Sequence, residues 1–271
     1  MFLKRDTQLL HSEIYSNFLW FEFFILSCYL FVKNDIILML VNRMKNLEIL
    51  KDKNIAHRGL FDNDKIVENS LEAFSNAIKN NYIIELDLHL TKDNKVIVFH
   101  DDNLKRMTGI NKKIKDVNYD EIKYINLLNT NSKISLFSDV LKLVNGKVPL
   151  IIELKTDNRV GKLEKEVVKF LDKYNGLFVI KSFSPLIVNW FRIHRPNYIR
   201  GLLINKNLNN IMKFIYIFIC KPDFISCHYA ILKNRIIRNF KNSGIVLAWG
   251  ITNQKIDKDL ADNLIYKMRI K

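Results

Sequence analysis

The chain has 271 residues, 48% of them hydrophobic, enough to bury one large domain with an appendage. Lys and Arg number 43 against 28 Asp and Glu, and the net charge of +15 suits an anionic partner. The lysines are spread along the whole chain without a basic-aromatic module, which argues against nucleic acid. Cys28, Cys220 and Cys227 are scattered, without metal-ligand spacing, and read as reduced thiols rather than a disulfide framework.

Residues 1–51 form an N-terminal apolar segment distinct from the rest. Residues 14–32 carry a single charge, Glu22, and residues 36–41 form a second apolar block after Lys33-Asn34-Asp35. A spanning helix needs about twenty apolar residues, so the first run is barely long enough. Glu22 near its middle would cost on the order of a few kcal/mol in lipid. No small-residue cleavage site follows, which argues against a removable signal peptide. Two readings stay open: a membrane anchor, or amphipathic helices lying on the rest of the protein or on a membrane surface through residues 14–41. If the segment spans, Arg43, Lys45, Lys51 and Lys53 outnumber Lys4 and Arg5 and place the following domain on the cytoplasmic side. The alternative is a soluble cytoplasmic protein.

Residues 52–271 alternate apolar β-branched runs with amphipathic segments, the pattern of βα units. Strands are expected at 55–56, 82–90, 96–99, 150–154, 178–183, 199–204, 224–227, 245–248 and 263–266. Helices are expected from Asn69 or Ser70, and over 137–144, 163–174, 186–194, 208–219 and 231–240. So many buried strands in this length predict an α/β fold of the TIM (β/α)8 barrel type. Thr91-Lys92-Asp93-Asn94-Lys95 is too short for a crossover helix, so the strands on either side should form an antiparallel hairpin near the second strand. Folding about Asp93 and Asn94 would place His100 opposite Asp87.

Charged clusters end several of these runs: His57-Arg58-Gly59, Glu85-Leu86-Asp87, His100-Asp101 and Glu153-Leu154-Lys155. Glu85 and Asp87 lie two apart and share one face of a strand. Two inward carboxylates repel unless a cation lies between them, and a hard divalent cation, Ca²⁺ or Mg²⁺, suits oxygen ligands. Glu153 could supply a third ligand from across the barrel mouth. The competing arrangement is a metal-free ionic network with Arg58 and Lys155. His57 and His100 are candidates for general acid and base, because imidazole titrates near neutrality. Arg58 and Lys155 are fixed charges suited to phosphoryl oxygens. His11, His89, His194 and His228 lack such company and are read as structural.

These motifs resemble the glycerophosphodiester phosphodiesterase family over roughly residues 52–271. Ile55-Ala56-His57-Arg58-Gly59-Leu60 matches the family's opening motif, and Val67-Glu68-Asn69-Ser70 stands where Pro-Glu-Asn-Thr is usual. Ile84-Glu85-Leu86-Asp87, Thr91-Lys92-Asp93, Val98-Phe99-His100-Asp101, Ile151-Ile152-Glu153-Leu154-Lys155, Ser182-Phe183 and Ala248-Trp249 follow in the family's order. The resemblance implies a TIM-barrel hydrolase that converts glycerophosphodiesters to glycerol 3-phosphate and an alcohol. By position, it implies Glu85, Asp87 and Glu153 as metal ligands, and His57 and His100 as acid and base. Arg58, Lys155 and Trp249 would then bind substrate.

Three departures from the family pattern stand out. Val67 and Ser70 remove no charge; Gly250 follows Trp249 where Thr is common and should loosen a strand end. Lys181 replaces the Gln or Glu often found before Ser-Phe, either to tighten an anionic substrate or, as the simpler reading, to pair with a barrel carboxylate. Two rival functions remain in view: a lysophospholipase D-type enzyme acting on membrane lysolipids, and a non-catalytic barrel that binds phosphodiesters or membranes.

Overall fold

Residues 46–156, 159–251, 256–257 and 259–266 are described in the computed structural model of the chain. Two compact units divide it, Met1–Asn46 and Leu47–Lys271. The apolar runs at 14–32 and 36–41 lie outside the described residues. Among the described residues, no helix is long and apolar enough to cross a membrane.

The strands are β1 (Ile55–His57), β2 (Ile83–Leu90), β3 (Val96–Val98), β4 (Ser135–Leu136), β5 (Leu150–Leu154), β6 (Phe178–Ser182), β7 (Arg200–Ile204), β8 (Phe224–His228), β9 (Ile245–Ile251) and β10 (Asn263–Tyr266). Eight of them, β1, β2 and β5 to β10, pair in parallel and close on themselves through β10 and β1. Helices among the described residues include α1 (Leu71–Lys79), α2 (Lys105–Thr108), α3 (Tyr119–Ile122), α4 (Phe137–Val144), α5 (Lys162–Leu171), α6 (Pro185–His194), α7 (Asn210–Cys220) and α8 (Arg235–Lys241). This is the expected TIM barrel.

Side-chain caps fix where the main helices begin. Ser70 accepts from the Ala73 N–H, Ser184 from Ile187 N–H ahead of a first-turn Pro185, and Asn209 from Met212 N–H. A helix expected over 231–240 is instead split. A 3-10 turn over Tyr229–Ile231 ends, and Asn234, extended and accepting from the Ile236 N–H, caps a fresh start for α8.

Strand alternation builds two shells. Outward residues such as Ile84, Leu86, Ile152 and Ile180 pack against Phe74, Phe137, Val167 and Phe191 of the helices. Inward residues Ile55, Ile83, Ile151, Val179, Phe224, Leu247 and Ile265 meet in the floor of the barrel. Each such burial is worth roughly 2 kcal/mol. At Gly201 an added Cβ would lie 2.3 Å from the Phe224 ring, so glycine makes room for that ring.

The hairpin forms as expected, with β2 and β3 antiparallel, but its register differs by one residue from the expected one. Leu90 faces Val96 and Leu88 faces Val98, so Phe99 stands opposite Asp87 and donates its N–H to the Asp87 carbonyl at 3.0 Å. Thr91 closes a five-residue turn through Lys95, with Asn94 left-handed (φ 58°), and this odd count centres the fold on Asp93 alone. Residues beyond β3 form an excursion with its own core, in which Ile97, Phe99, Leu104, Met107, Ile114 and Leu127 meet. It returns through the short strand β4, which the sequence pattern did not suggest.

Candidate active site

Two residues above the apolar floor, the same inward positions turn ionisable. Ile83 is followed by Glu85 and Asp87 on β2, Ile151 by Glu153 on β5, Val179 by Lys181 on β6, and Ile55 by His57 on β1. Glu85, Asp87 and Glu153 are buried and bring carboxylate oxygens within 4.8 Å of one another. Asn69 donates its amide N–H to Asp87 Oδ2 at 2.9 Å, while its buried Oδ1 has no hydrogen-bond partner. Three carboxylates and an unpartnered amide oxygen are hard donors and fit a divalent cation of the Ca²⁺ or Mg²⁺ kind.

Two ammonium groups, Lys181 buried and Lys155 half-buried, sit among the acids. Lys155 Nζ lies 2.9 Å from Asp87 Oδ1 and also contacts Glu153 Oε1. Lys181 Nζ lies 2.7 Å from Glu85 Oε1 and 3.5 Å from Glu153 Oε2, so the added cation does pair with barrel carboxylates. Burial alone would raise Asp87, but the charges of Lys155, His100 and Arg58 hold it well below the usual carboxylate range. Glu85 is likewise lowered, its burial outweighed by Lys181 and His57. Burial also works against the charged forms of Lys155 and Lys181, yet the facing carboxylates raise both.

The turn after β1 aims the first histidine motif. Arg58 (φ 59°) and Gly59 (φ 84°) are both left-handed, and a Cβ at Gly59 would fall 2.8 Å from Ala73 Cβ. The turn presents the Arg58 N–H to Glu85 Oε2 at 3.0 Å and leaves His57 Nε2 3.9 Å from the same oxygen. Burial lowers the His57 pKa, and Glu85 offsets this only in part. The Arg58 guanidinium reaches Glu68 Oε1 (2.7 Å) and lies 3.6 Å from Asp87 Oδ2.

His100 is held from the other side. Its Nδ1 lies 2.6 Å from Asp101 Oδ1, and Asp101 is gripped by Arg106 Nε at 2.6 Å. Arg106 Nη2 also donates to Glu68 Oε1 at 2.6 Å, which joins the loops of both histidines through one carboxylate. Burial would raise Glu68 and Asp101, but their arginine hydrogen bonds prevail and hold each at about 2. His89, read from sequence as structural, donates from Nε2 to the His100 carbonyl at 3.2 Å and so steadies that backbone.

The structure therefore gathers His57, Arg58, Glu85, Asp87, Glu153 and Lys155 in one cluster, with His100 beside it. Trp249 sits apart, edge-on to Phe183 (5.9 Å) and His228 (5.0 Å), its indole N–H donating to the Ser226 carbonyl. Gly250 has φ 79°, and a Cβ there would lie 2.8 Å from the His228 ring, which accounts for glycine in that place. The sequence pattern gave Glu68 only as a motif letter, Asn69 only as a motif letter and possible helix start, and Asp101 and Arg106 no role. An acid directly after His100, with an arginine five residues on, was the available signal.

The sequence model of the Glycerophosphoryl diester phosphodiesterase family matches residues 57–269. A Caldanaerobacter subterraneus glycerophosphodiester phosphodiesterase is 30% identical over 165 residues, 57% of this chain and 67% of its own length. The human lysophospholipase D GDPD1 is 35% identical over 136 residues, which is 45% of this chain and 42% of that protein. An Oleispira antarctica phosphodiesterase, solved with the product sn-glycerol 3-phosphate, shares the fold with a TM-score of 0.67 at 19% identity, covering 80% of this chain and 92% of that one. Barrel, strand-end motifs and family match agree: the chain belongs to the glycerophosphodiester phosphodiesterase family of hydrolases.

Proposed function

We propose that the protein hydrolyses glycerophosphodiesters to glycerol 3-phosphate and an alcohol at the Glu85, Asp87 and Glu153 cluster. The observation that carries this reading is the convergence of three buried carboxylates, flanked by His57 and His100 and joined by Arg58 and Lys155, at one end of the barrel. Glu85, Asp87 and Glu153 would hold a divalent cation, Ca²⁺ or Mg²⁺, and the unpartnered Asn69 Oδ1 is a further oxygen donor available to it. When bound, such an ion supplies positive charge to oxygens that become more negative in the transition state.

His57 and His100 are the acid–base pair. One imidazole takes the proton of the neighbouring glycerol hydroxyl as its oxygen bonds to phosphorus. The other gives a proton to the departing alkoxide as the bond from phosphorus to that oxygen breaks. The cyclic phosphate is then opened by water with the roles exchanged. Asp101 fixes the His100 ring through Nδ1, which leaves Nε2 for the reaction. Arg58 and Lys155 hold phosphoryl oxygens, and Trp249 is the substrate-binding group left for the alcohol.

The second reading is a lysophospholipid substrate, supported by the likeness to human lysophospholipase D GDPD1 and by the apolar runs before the barrel. In that reading residues 14–41 contact the membrane from the cytoplasmic side. One experiment separates the two. Glycerophosphocholine and lysophosphatidylcholine are offered to the full chain with chelator, then with Ca²⁺ or Mg²⁺ restored. Metal-dependent glycerol 3-phosphate from the first is expected. Product from the lysolipid alone would shift the assignment, and no product from either would end the hydrolytic reading.

A further inference from the structure

A second surface lies outside the site, on the helices that follow β6 and β7. In α7 the apolar residues recur at helical spacing, yet the stripe they form faces outward. Ile211, Phe214 and Phe218 are 73%, 63% and 68% exposed, and the Phe214 and Phe218 rings stack on each other at 6.4 Å. The neighbouring helix α6 adds Leu186 and Ile193, seven residues apart and each more than half exposed. Side chains of this size at i, i+3 and i+7 normally seek a core, and a contiguous apolar face on two packed helices marks an interaction surface.

Charge says what that surface meets. Between Phe183 and Gly244 the chain holds ten Lys and Arg and a single acid, Asp223, although basic residues outnumber acids only 43 to 28 overall. Asp223 is itself taken up beside Arg200. Lys206 precedes α7, Lys221 follows it, and Lys233, Arg235 and Arg238 lie in or just before the adjacent helix α8; all five are exposed. An apolar stripe rimmed by cations with almost no anion is the make-up of a face that inserts shallowly among anionic headgroups. A protein partner would instead be expected to meet acids interspersed with the bases.

We propose that the exposed faces of α6 and α7, with the basic rim from Lys206 to Arg238, dock the barrel on an anionic lipid surface. Barrel helices run back from the strand ends, so Leu186 and Ile211, at the starts of α6 and α7, lie at the same end as the carboxylate cluster. The surface thereby sets the barrel mouth at the edge of the bilayer. The inference is independent of the hydrolytic reading, because it rests on none of the site residues.

The test is flotation of the full chain with phosphatidylcholine vesicles, plain or containing about a third phosphatidylglycerol, for the natural protein, Phe214→Ser/Phe218→Ser and Arg235→Gln/Arg238→Gln. The replaced side chains are solvent-exposed, and unchanged thermal melting checks that each variant folds. Both variants should lose roughly tenfold or more of the binding to anionic vesicles, with the natural protein binding plain vesicles weakly. Unchanged binding by the serine variant would overturn the proposal, since the membrane would then be held elsewhere. So would equal binding to plain and anionic vesicles. A natural dimer that becomes monomeric on Phe214→Ser/Phe218→Ser, with vesicle binding intact, would reassign the face to a second copy of the chain.

Discussion

The upper interior of the barrel has two unlike arcs. From β1 through β6 the inward positions above the floor are His57, Glu85, Asp87, Glu153 and Lys181, all ionisable and tied to one another. From β8 to β9 the corresponding positions are Ser226, His228 and Trp249, which carry no fixed charge and engage in hydrogen bonds with the backbone and in ring contacts. The floor beneath both arcs is uniformly apolar. Fold and chemistry are thus separated by height in the barrel, and charge from neutrality by position around it. The charged arc is suited to what all glycerophosphodiesters share, the phosphate and glycerol, and the neutral arc to the alcohol that varies.

The strongest way to break this comparison is to remove one imidazole. His57→Ala and His100→Ala should each lower kcat by about 10³-fold with the circular dichroism spectrum unchanged. A normal rate in either would take that residue out of the proton transfers.

Glu68→Gln attacks the clasp between the two histidine loops. Glu68 is buried and bonded to both Arg58 and Arg106, so its loss should destabilise by about 3 kcal/mol. The sign with pH is defined: the Glu68 pKa is lowered from 4.5 to about 2, so its charge stabilises fully above 4.5. That contribution fades as pH falls towards 2, and the gap in Tm between natural protein and variant should close over this range. A gap that persists to the acid end would assign the effect to packing.

Lys181→Gln sharpens the charged arc. An ammonium 2.7 Å from Glu85 opposes any cation bound by the same carboxylates. Its removal should tighten Ca²⁺ or Mg²⁺ binding by about tenfold in a calorimetric titration. Equal affinities would mean that the lysine and the metal do not share ligands. The smallest effect belongs to the neutral arc. Trp249→Ala should change KM by roughly tenfold or less, and unequally between choline and ethanolamine esters, with kcat nearly constant. An equal change for both would remove Trp249 from alcohol recognition.

Much of this was legible in the chain. Runs such as Leu150-Ile151-Ile152 fix a buried parallel strand, and Glu85 with Asp87 two apart fixes a shared inward face. The hairpin followed from the length of its turn, but its register did not. Whether the turn centres on one residue or two depends on the left-handed Asn94 and the Thr91 hydroxyl, which composition alone does not decide. The excursion from Leu104 to Ile134 was silent for another reason. Its elements are only three or four residues long, and their apolar residues form a core only together. Arg106 belongs to that stretch, so the grip on Asp101 that supports His100 was hidden with it.

The alternation of apolar floor and charged rim has a consequence for folding fidelity. If β2, β5 or β6 slipped by one residue against its neighbours, Glu85, Asp87, Glu153 or Lys181 would turn towards Phe74, Phe137 and Phe191, and Ile84 or Ile152 would enter the ionic cluster. Each such error strands a charge in hydrocarbon, where no partner can follow it. The residues assigned to chemistry therefore also proofread the register of the strands that carry them.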